Sequence, residues 1–332
     1  YEMTSSLVGS EMCIRDSYGG EPLINYDVMK KTIEYSEMVM PKKTLIFAFT
    51  TNLSLMTLEK AKFFAKHNCY IMCSLDGPKI IHDAYRVDIK GDGTFNKVIE
   101  GLKNLLIAFG DRAKTHIKFN VVICPPYSRK KLDAIKEFFD KLDYLPAGID
   151  IKYSYVESGS LRKEDIDYTY FPEGEDIIGD VPPIDIWLTE ELPKQSSDQN
   201  VIFTLARDAL ARVHKRFLLD HPCEKMKRNG CCIPGGRRIY VDIKGNIALC
   251  ERVGKSPSLG NINKGIDLEQ VKRYYLEEYE KASVEQCKNC WAVNLCNMCY
   301  AACYRENGID IEAKNEFCLL YTSPSPRDST SS

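Results

Sequence analysis

The first half of the chain alternates between two patterns of hydrophobic and polar positions. Apolar residues recur at helical spacing in four segments, residues 26–40, 58–67, 94–108 and 129–142. Short apolar runs that predict buried strands lie in four others, residues 44–50, 70–75, 116–124 and 149–156. Strands that alternate with helices at this spacing predict an α/β fold with a parallel sheet. The predicted strands end in Gly, Ser, Asn and Asp, where α/β barrels place their active sites.

The pattern changes in the second half of the chain. Residues 157–200 are acidic, contain four prolines and lose the periodicity, which indicates a linker or an irregular insertion. Residues 201–219 have the pattern of a helix, and short strands, turns and cysteines follow Cys223. We therefore predict a domain boundary within residues 200–222.

Composition and charge exclude several classes of protein. The chain has 332 residues, enough for about two ordinary domains, and its 45 Lys and Arg nearly balance its 47 Asp and Glu. This balance argues against a nucleic-acid partner bound through a basic face. No apolar run approaches the length of a membrane span and no signal peptide is evident. We expect a cytoplasmic protein without a membrane partner.

Both ends of the chain look foreign to the rest. Residues 6–17 and 319–332 resemble translated sequencing-adapter read-through. We therefore expect residues 1–17 and 319–332 to be artefacts and the native protein to continue past both. The alternative is a pair of natural flexible termini.

Cysteine is the unusual component. Ten of the 14 cysteines lie between Cys223 and Cys318, and without a secretory signal such a cluster indicates metal binding rather than disulfides. Cys232 and Cys250 flank a predicted hairpin around residues 244–246. A second group follows at Cys-x2-Cys spacing, comprising Cys287, Cys290, Cys296, Cys299, Cys303 and Cys318. Thiolates suit zinc, copper(I) and iron–sulfur clusters, and spacing alone leaves zinc and iron–sulfur open.

Three upstream motifs favour one of these alternatives. They are Gly19-Gly20-Glu21-Pro22, Thr51-Asn52, and Ser74-Leu75-Asp76-Gly77-Pro78 followed by Arg86. In this order, the motifs and the cysteine region resemble the radical S-adenosylmethionine superfamily with its SPASM extension, over most of residues 18–318. The resemblance implies a partial (β/α)6 barrel at 18–200 with an irregular segment at 157–200, and a linker helix at 201–222. A Cys-rich SPASM domain of a short β-hairpin, helices and loops would occupy residues 223–318.

The resemblance also implies a set of cofactor-binding residues for S-adenosylmethionine. They are Gly19, Gly20, Glu21, Pro22, Asn52, Ser74 and Arg86. Glycines allow close backbone approach, the Glu21 carboxylate suits an ammonium, and the Arg86 guanidinium suits a carboxylate. Each has a structural alternative, such as a turn, a cap or a surface arginine. We expect His82 to be a turn or packing residue.

Two auxiliary 4Fe–4S clusters are implied by the SPASM resemblance. The first ligand set comprises Cys232, Cys250 and Cys299, with Cys231 or Cys223 as the possible fourth ligand or with that position open to substrate. The second set comprises Cys287, Cys290, Cys296 and Cys318. The choice of Cys299 over Cys303 stays open. We expect the remaining Cys69, Cys73 and Cys124 to be small buried hydrophobes.

Glu251 is a candidate general base. In sulfatase-maturing relatives a carboxylate directly after the hairpin cysteine takes a proton from the substrate, and Glu251 follows Cys250 here. The alternative is a surface glutamate or a salt bridge with Arg252.

The function implied is that of a radical S-adenosylmethionine peptide or protein maturase. In the full-length parent, reductive cleavage of S-adenosylmethionine gives a 5′-deoxyadenosyl radical that abstracts hydrogen from a peptide. Thioether formation in a ribosomal peptide and sulfatase maturation both fit, with a peptide or protein substrate and a reductant such as flavodoxin or ferredoxin as partners. The chain contains no Cys-x3-Cys-x2-Cys motif, the ligand set of the catalytic cluster, so we expect it to be inactive alone. The alternative is a non-catalytic, zinc-stabilised α/β protein that binds a partner.

Overall fold

A computed structural model describes most of the two compact parts of the chain. The described residues are 13–17, 20–40, 45–156, 163–166, 201–204, 211, 214, 234, 239–253, 256–288, 290, 296, 298–316 and 318. The chain divides into two compact units, Tyr1–Asp208 and Ala209–Ser332. This division falls within the interval 200–222.

Five parallel strands form the centre of the first unit. In sheet order they are β1 (Cys13–Ser17), β2 (Leu45–Thr51), β3 (Tyr70–Ser74), β4 (Ile117–Ile123) and β5 (Asp150–Tyr155). The predicted α/β fold with a parallel sheet is confirmed. Strand β1 pairs with β2 from Cys13 opposite Leu45 to Ser17 opposite Phe49. The backbone of residues 13–17, which we excluded from the fold as foreign, is thus the edge strand of this sheet, while its origin stays a prediction.

Helices connect these strands in the order that the periodicity predicts. They are α1 (Tyr26–Val39), α2 (Leu58–Lys66), α3 (Lys79–Tyr85), α4 (Phe95–Phe109), α5 (Ala113–His116) and α6 (Arg129–Asp140). Short 3₁₀ helices lie at Pro22–Asn25, Gly110–Arg112 and Lys163–Asp165. The sequence pattern missed α3, because a helix of seven residues is too short to establish a period.

One face of the sheet is packed under the helices and the other is only half-buried. Strand β4 shows the difference, because Phe119 and Val121 are buried while Asn120 between them is partly exposed. Aromatic contacts join the packed face to the helices, with Phe119 5.4 Å from Phe139 of α6 between ring centroids. Successive side chains of a strand point to opposite faces of the sheet, so a strand that is well packed on one face only shows burial at every second residue.

The second unit is built from short strands and one continuous helical stretch. Four antiparallel strands form a sheet, β6 (Tyr240–Val241), β7 (Asn246–Ala248), β8 (Gly260–Asn261) and β9 (Gly265–Ile266). The helical stretch consists of α7 (Leu268–Gln270), a π-helix (Val271–Glu278) and α8 (Tyr279–Cys287). It is followed by α9 (Tyr300–Cys303), the strand pair β10 (Tyr304–Arg305) and β11 (Gly308–Ile309), and α10 (Ile311–Glu316). The pattern predicted the hairpin β6–β7 with longer strands and missed β8, β9 and the π-helix.

Tyrosines fill the core of the second unit. Tyr275 and Tyr304 stack with ring centroids 4.9 Å apart, and Tyr300 meets both rings edge-on. The Tyr300 hydroxyl donates to the Tyr275 carbonyl oxygen at 3.1 Å. Such pairs supply both apolar area and a satisfied polar group, so this core is well defined despite its small sheet. Among the described residues, no helix has the length and apolar character needed to cross a membrane.

Candidate functional site

Glu21 ties the first two motif loops together. Its Oε1 accepts hydrogen bonds from the Thr51 hydroxyl at 2.8 Å and from the Leu23 backbone N–H at 3.0 Å, and its Oε2 accepts from the Asn52 N–H at 2.7 Å. Strands β1 and β2 are parallel neighbours, so the loops after them meet at one edge of the sheet. The carboxylate that we expected to meet an ammonium is therefore engaged mainly in fixing the geometry of this edge.

Asn52 caps its own turn. Its Oδ1 accepts from the Ser54 N–H at 3.0 Å and from the Ser54 hydroxyl at 2.7 Å. The next residue, Leu53, has a φ of 64°, a left-handed conformation that is rare for a branched side chain. The turn bonds use Oδ1, so the capping alternative is present, and the amide nitrogen Nδ2 takes no part in them.

Asp76 and Arg86 form a two-point ion pair at the end of β3. Arg86 Nε donates to Asp76 Oδ2, and Arg86 Nη2 donates to Asp76 Oδ1 at 3.0 Å. The Val122 N–H donates to the same Oδ1 at 2.9 Å, and Asp76 is only 4% exposed. We expected Arg86 to bind the cofactor carboxylate, but two of its three nitrogens donate to Asp76 instead. Sequence reasoning gave Asp76 no role, although a carboxylate directly after a buried strand was a visible signal.

His82 is a neutral packing residue. It is fully buried, and its Nδ1 accepts the Asp76 N–H at 3.3 Å. The proton therefore lies on Nε2, which is 3.2 Å from the Thr94 hydroxyl oxygen. Burial lowers the pKa of His82 from 6.5 to about 4, and the nearby carboxylate of Asp76 only partly opposes this. The expectation that His82 is not a catalyst agrees with this environment.

A row of small polar side chains lies on the half-buried face of the sheet. Ser74 at the end of β3 pairs in register with Asn120 of β4, so both side chains lie on this face. The Ser154 hydroxyl of β5 lies 3.4 Å from Asn120 Oδ1. The sequence analysis selected Ser74 and missed Asn120 and Ser154. These two residues come near Ser74 only through the register of the strands.

The three cysteines of the first unit are buried. Cys69 and Cys73 are fully buried and Cys124 is 7% exposed. Burial raises the pKa of Cys69 to about 12 and of Cys124 to about 11, and raises that of Cys73 further. Thiols with such pKa values stay protonated at neutral pH, which confirms that these cysteines are packing residues.

Two cysteines of the first predicted ligand set lie near each other. Burial raises the pKa of Cys250, the Arg252 backbone N–H that donates to its sulfur opposes the rise, and the charges of Glu251 and Cys299 add to it. Cys299 is exposed, whereas Cys303 is fully buried and its thiol donates to the Cys299 carbonyl oxygen at 3.5 Å. This arrangement favours Cys299 over Cys303 as the accessible thiol.

Three cysteines of the second predicted set, Cys290, Cys296 and Cys318, act electrostatically on the fourth, Cys287. Burial is the largest cause that raises the pKa of Cys287, and the charges of Cys296, Cys318 and Cys290 raise it further. Lys314 acts in the opposite direction. Four thiols therefore share one electrostatic environment with one buried ammonium.

The donor set fits an iron–sulfur cluster by its chemistry. Four thiols are the ligands of such a cluster, and each binds a different iron, so they need not converge on one atom. Among the residues described in both units, no three His, Cys, Asp or Glu side chains are close enough to hold one metal ion. Several expected site residues lie outside the described residues, namely Gly19, Cys223, Cys231 and Cys232.

The structure also describes Pro22, Gly20 and Glu251, whose roles in binding or catalysis stay predictions. Pro22 is the first residue of the 3₁₀ helix at Pro22–Asn25, and Gly20 is exposed with open space where a Cβ would lie. Glu251 begins the 3₁₀ helix Glu251–Val253 directly after Cys250 and is half-buried. These positions agree with an approachable loop and with a carboxylate beside a thiol.

The motif loops and the clustered thiols, on an α/β scaffold with a parallel sheet, define a class of protein. In fold, the chain is similar to native anSMEcpe with bound AdoMet and Cp18Cys peptide, on which it superposes with a TM-score of 0.59 and 20% identity. This match covers 94% of the chain and 84% of the solved one. The structure of the same enzyme with bound AdoMet and Kp18Cys peptide gives 0.57 over the same shares.

Sequence relatives agree with this class. The chain is 34% identical over 128 residues to the cysteine-type anaerobic sulfatase-maturating enzyme of Clostridium novyi (strain NT), which is 38% of the chain and 33% of that protein. It is 35% identical over 94 residues to the serine-type enzyme of Bacteroides thetaiotaomicron, 28% of the chain and 22% of that protein. The chain thus matches a third or less of the length of these curated relatives, and it matches no protein-family model. The resemblance to radical S-adenosylmethionine maturases is confirmed.

Proposed function

We propose that this chain is part of a radical S-adenosylmethionine enzyme that matures a peptide or protein substrate. The observation that carries the proposal is the double hydrogen bonding of Glu21 to Thr51 and Asn52. It assembles two of the three family motifs into one edge of a parallel sheet, where α/β enzymes bind ligands. The sequence relatives supply the class of reaction.

S-adenosylmethionine would lie at this edge. Glu21 holds the glycine loop in place while Gly19 and Gly20 let a ligand approach the backbone. Ser74 and the Nδ2 protons of Asn52 offer hydrogen bonds, and the Nη1 protons of Arg86 lie outside its pair with Asp76. When bound beside a reduced catalytic cluster, the cofactor supplies the radical that removes hydrogen from the substrate.

The cysteines of the second unit would hold two auxiliary 4Fe–4S clusters. Cys287, Cys290, Cys296 and Cys318 form the better supported set, because all four share one electrostatic environment. Cys250 and Cys299 would belong to the other set, with Cys232 and either Cys231 or Cys223. The alternative is a structural zinc site, which needs four ligands on one atom, and no three of the described side chains are close enough for that.

The substrate side chain would carry a thiol or a hydroxyl group. Relatives of both the cysteine type and the serine type match this chain, which favours sulfatase-type maturation over thioether formation. Glu251, next to Cys250, would accept the proton that this side chain loses. A flavodoxin or a ferredoxin would serve as the reductant.

The chain by itself should not cleave S-adenosylmethionine reductively. It contains no Cys-x3-Cys-x2-Cys motif to hold the catalytic cluster, and Cys69, Cys73 and Cys124 of the first unit are buried. Formation of 5′-deoxyadenosine by this chain under reducing, anaerobic conditions would contradict this part of the proposal.

The function is tested by restoring the missing motif. Residues 1–17 are replaced by the stretch of the cysteine-type relative that runs from its Cys-x3-Cys-x2-Cys motif to its glycine motif. With S-adenosylmethionine, dithionite and a cysteine-containing peptide, we expect 5′-deoxyadenosine and a peptide oxidised at its cysteine. The matched control has the three grafted cysteines replaced by alanine and should give neither product.

A second pair of variants tests the base. In the restored protein, Glu251→Asp should retain peptide conversion and Glu251→Gln should lose most of it, while Glu306→Gln changes the same group at an exposed position and should have no effect. Full conversion by Glu251→Gln would remove Glu251 from the mechanism. A restored protein that folds, binds iron and yields no 5′-deoxyadenosine would overturn the proposed function.

A further inference from the structure

A buried lysine in α10 has no carboxylate partner among the residues that the structure describes. Lys314 is 1% exposed, and its Nζ donates a hydrogen bond to Gln286 Oε1 at 2.8 Å. Within the described part of the second unit, no Asp or Glu pairs with it. An ammonium taken out of water without an opposite charge is costly, so a different negative group should account for its position.

Gln286 connects this ammonium to a cysteine sulfur. Its Nε2 donates to Cys318 Sγ at 3.6 Å and to Asn315 Oδ1 at 3.3 Å. A lysine ammonium can only donate, so Lys314 fixes the amide with its oxygen toward Nζ and its N–H groups toward the sulfur. Two consecutive hydrogen bonds thus connect Lys314 to Gln286 and Gln286 to the sulfur of Cys318.

The same ammonium acts on a second cysteine of the set, Cys287. Gln286 directly precedes Cys287, and Lys314 is the group that opposes the effect of burial and of the neighbouring thiols on Cys287. Four thiolates around an iron–sulfur core leave a net negative charge. The negative charge that balances the Lys314 ammonium would therefore come from this ligand set rather than from a carboxylate.

We propose that Lys314 and Gln286 raise the reduction potential of the iron–sulfur cluster held by Cys287, Cys290, Cys296 and Cys318. The potential of such a cluster depends on its net charge, on hydrogen bonds to its sulfurs and on its exposure to solvent. Reduction adds one electron and one negative charge, which the buried ammonium and the N–H···S bond both stabilise. The inference rests on the proposed function, because it requires a cluster at these cysteines.

The test is a redox titration of the full chain after anaerobic reconstitution with iron and sulfide. Mediators and dithionite supply the electrons, and electron paramagnetic resonance follows each reduced cluster. The signal of interest is the one that Cys290→Ser removes. Lys314→Met keeps the length of the side chain and removes its charge. We expect the equilibrium constant for reduction to fall at least tenfold, which is about 59 mV for one electron.

Two further variants keep the test decisive. Gln286→Glu has the same shape, gives Lys314 a carboxylate partner and removes the N–H donor to Cys318, so it should lower the potential even if Lys314→Met does not fold. Lys281→Met is the matched control, because it removes one positive charge from an exposed position of α8. It should leave the potential unchanged.

The outcomes separate the inference from the function on which it rests. The inference alone would be overturned if Gln286→Glu bound iron in normal amount and its cluster kept the same reduction potential. It would also be overturned if Lys281→Met lowered the potential by as much as Lys314→Met does. A protein that binds no iron at Cys287 and Cys290 would overturn both the inference and the proposed clusters. A lowered potential in both test variants with the control unchanged would support the inference.

Discussion

At the scale of single residues, the buried polar groups at the end of β3 show what sequence can and cannot predict. The pattern marked His82 as a packing residue, and the structure buries it as a neutral ring between Asp76 and Thr94. The resemblance predicted that Arg86 binds the cofactor, whereas in the structure two nitrogens of Arg86 donate to Asp76. Pairing between residues ten positions apart depends on how the loop folds, and no period or spacing encodes it.

The burial of His82 predicts a dependence of stability on pH. Its pKa is about 4 in the folded chain and 6.5 in its ordinary state, so the unfolded chain binds the extra proton between these values. The stability is complete above pH 6.5 and is lost as the pH falls toward 4. Between pH 7 and pH 5 the free energy of unfolding should fall by about 2 kcal/mol through this group.

Urea unfolding of the protein at both pH values measures this loss. His82→Gln retains an acceptor and a donor without titrating, so its free energy of unfolding should fall by about 2 kcal/mol less over the same interval. Equal losses in the two proteins would show that His82 is not the group responsible.

The contrast between Cys299 and Cys303 gives a second prediction at this scale. Cys299 is exposed near Cys250, and Cys303 is buried with its thiol bonded to a backbone carbonyl. Cys299→Ala should therefore lower the iron content after reconstitution by about four atoms per chain, the content of one 4Fe–4S cluster. Cys303→Ala, the matched control, should keep its iron, and the reverse result would exchange the two assignments.

At the scale of elements, periodicity predicted the regular part of the fold well. The strands β2 to β5 and the helices α1, α2, α4 and α6 lie within two residues of their predicted positions, as with Leu45–Thr51 for 44–50. Strand β1 was not predicted, because we had excluded its residues as foreign. Helix α3 and the strands β8 and β9 were missed because they contain seven, two and two residues. The expected helix at 201–219 is described only at residues 201–204, 211 and 214, all helical. Short elements depend on tertiary contacts that no local pattern records.

Gly101 in α4 gives the prediction that belongs to this scale. A Cβ at this position would lie 2.3 Å from the Leu53 carbonyl oxygen, in the turn that follows the Thr51-Asn52 motif. Glycine to alanine in a helix normally stabilises by about 1 kcal/mol. Here the clash is with backbone, so Gly101→Ala should destabilise the first unit by about 1–3 kcal/mol.

Thermal or urea unfolding measures this effect, and Gly20→Ala is the control. A Cβ at Gly20 meets nothing within 4 Å, so its free energy of unfolding should change little. A stabilised Gly101→Ala variant would show that α4 and the motif turn are not in close contact.

At the scale of the whole molecule, the sequence predicted the class of protein better than it predicted the geometry of the site. The order of the three motifs and the spacing of the cysteines sufficed for the family resemblance, since both are written along the chain. The roles of single residues within the site were harder to predict from the sequence. Glu21 holds a neighbouring loop, and Lys314 and Gln286 lie beside thiols that are close in space only after folding. Buried polar contacts between distant segments are the part that sequence alone did not supply.

The central claim is that the cysteines of the second unit hold iron–sulfur clusters. The most direct measurement is the iron, sulfide and zinc content of the full chain after anaerobic purification and reconstitution, with its visible spectrum. The account predicts about eight irons and about eight sulfides per chain, the content of two 4Fe–4S clusters, with a broad visible absorption that bleaches on reduction. Stoichiometric zinc in a colourless protein that takes up no iron would contradict it and favour the zinc-stabilised, partner-binding alternative.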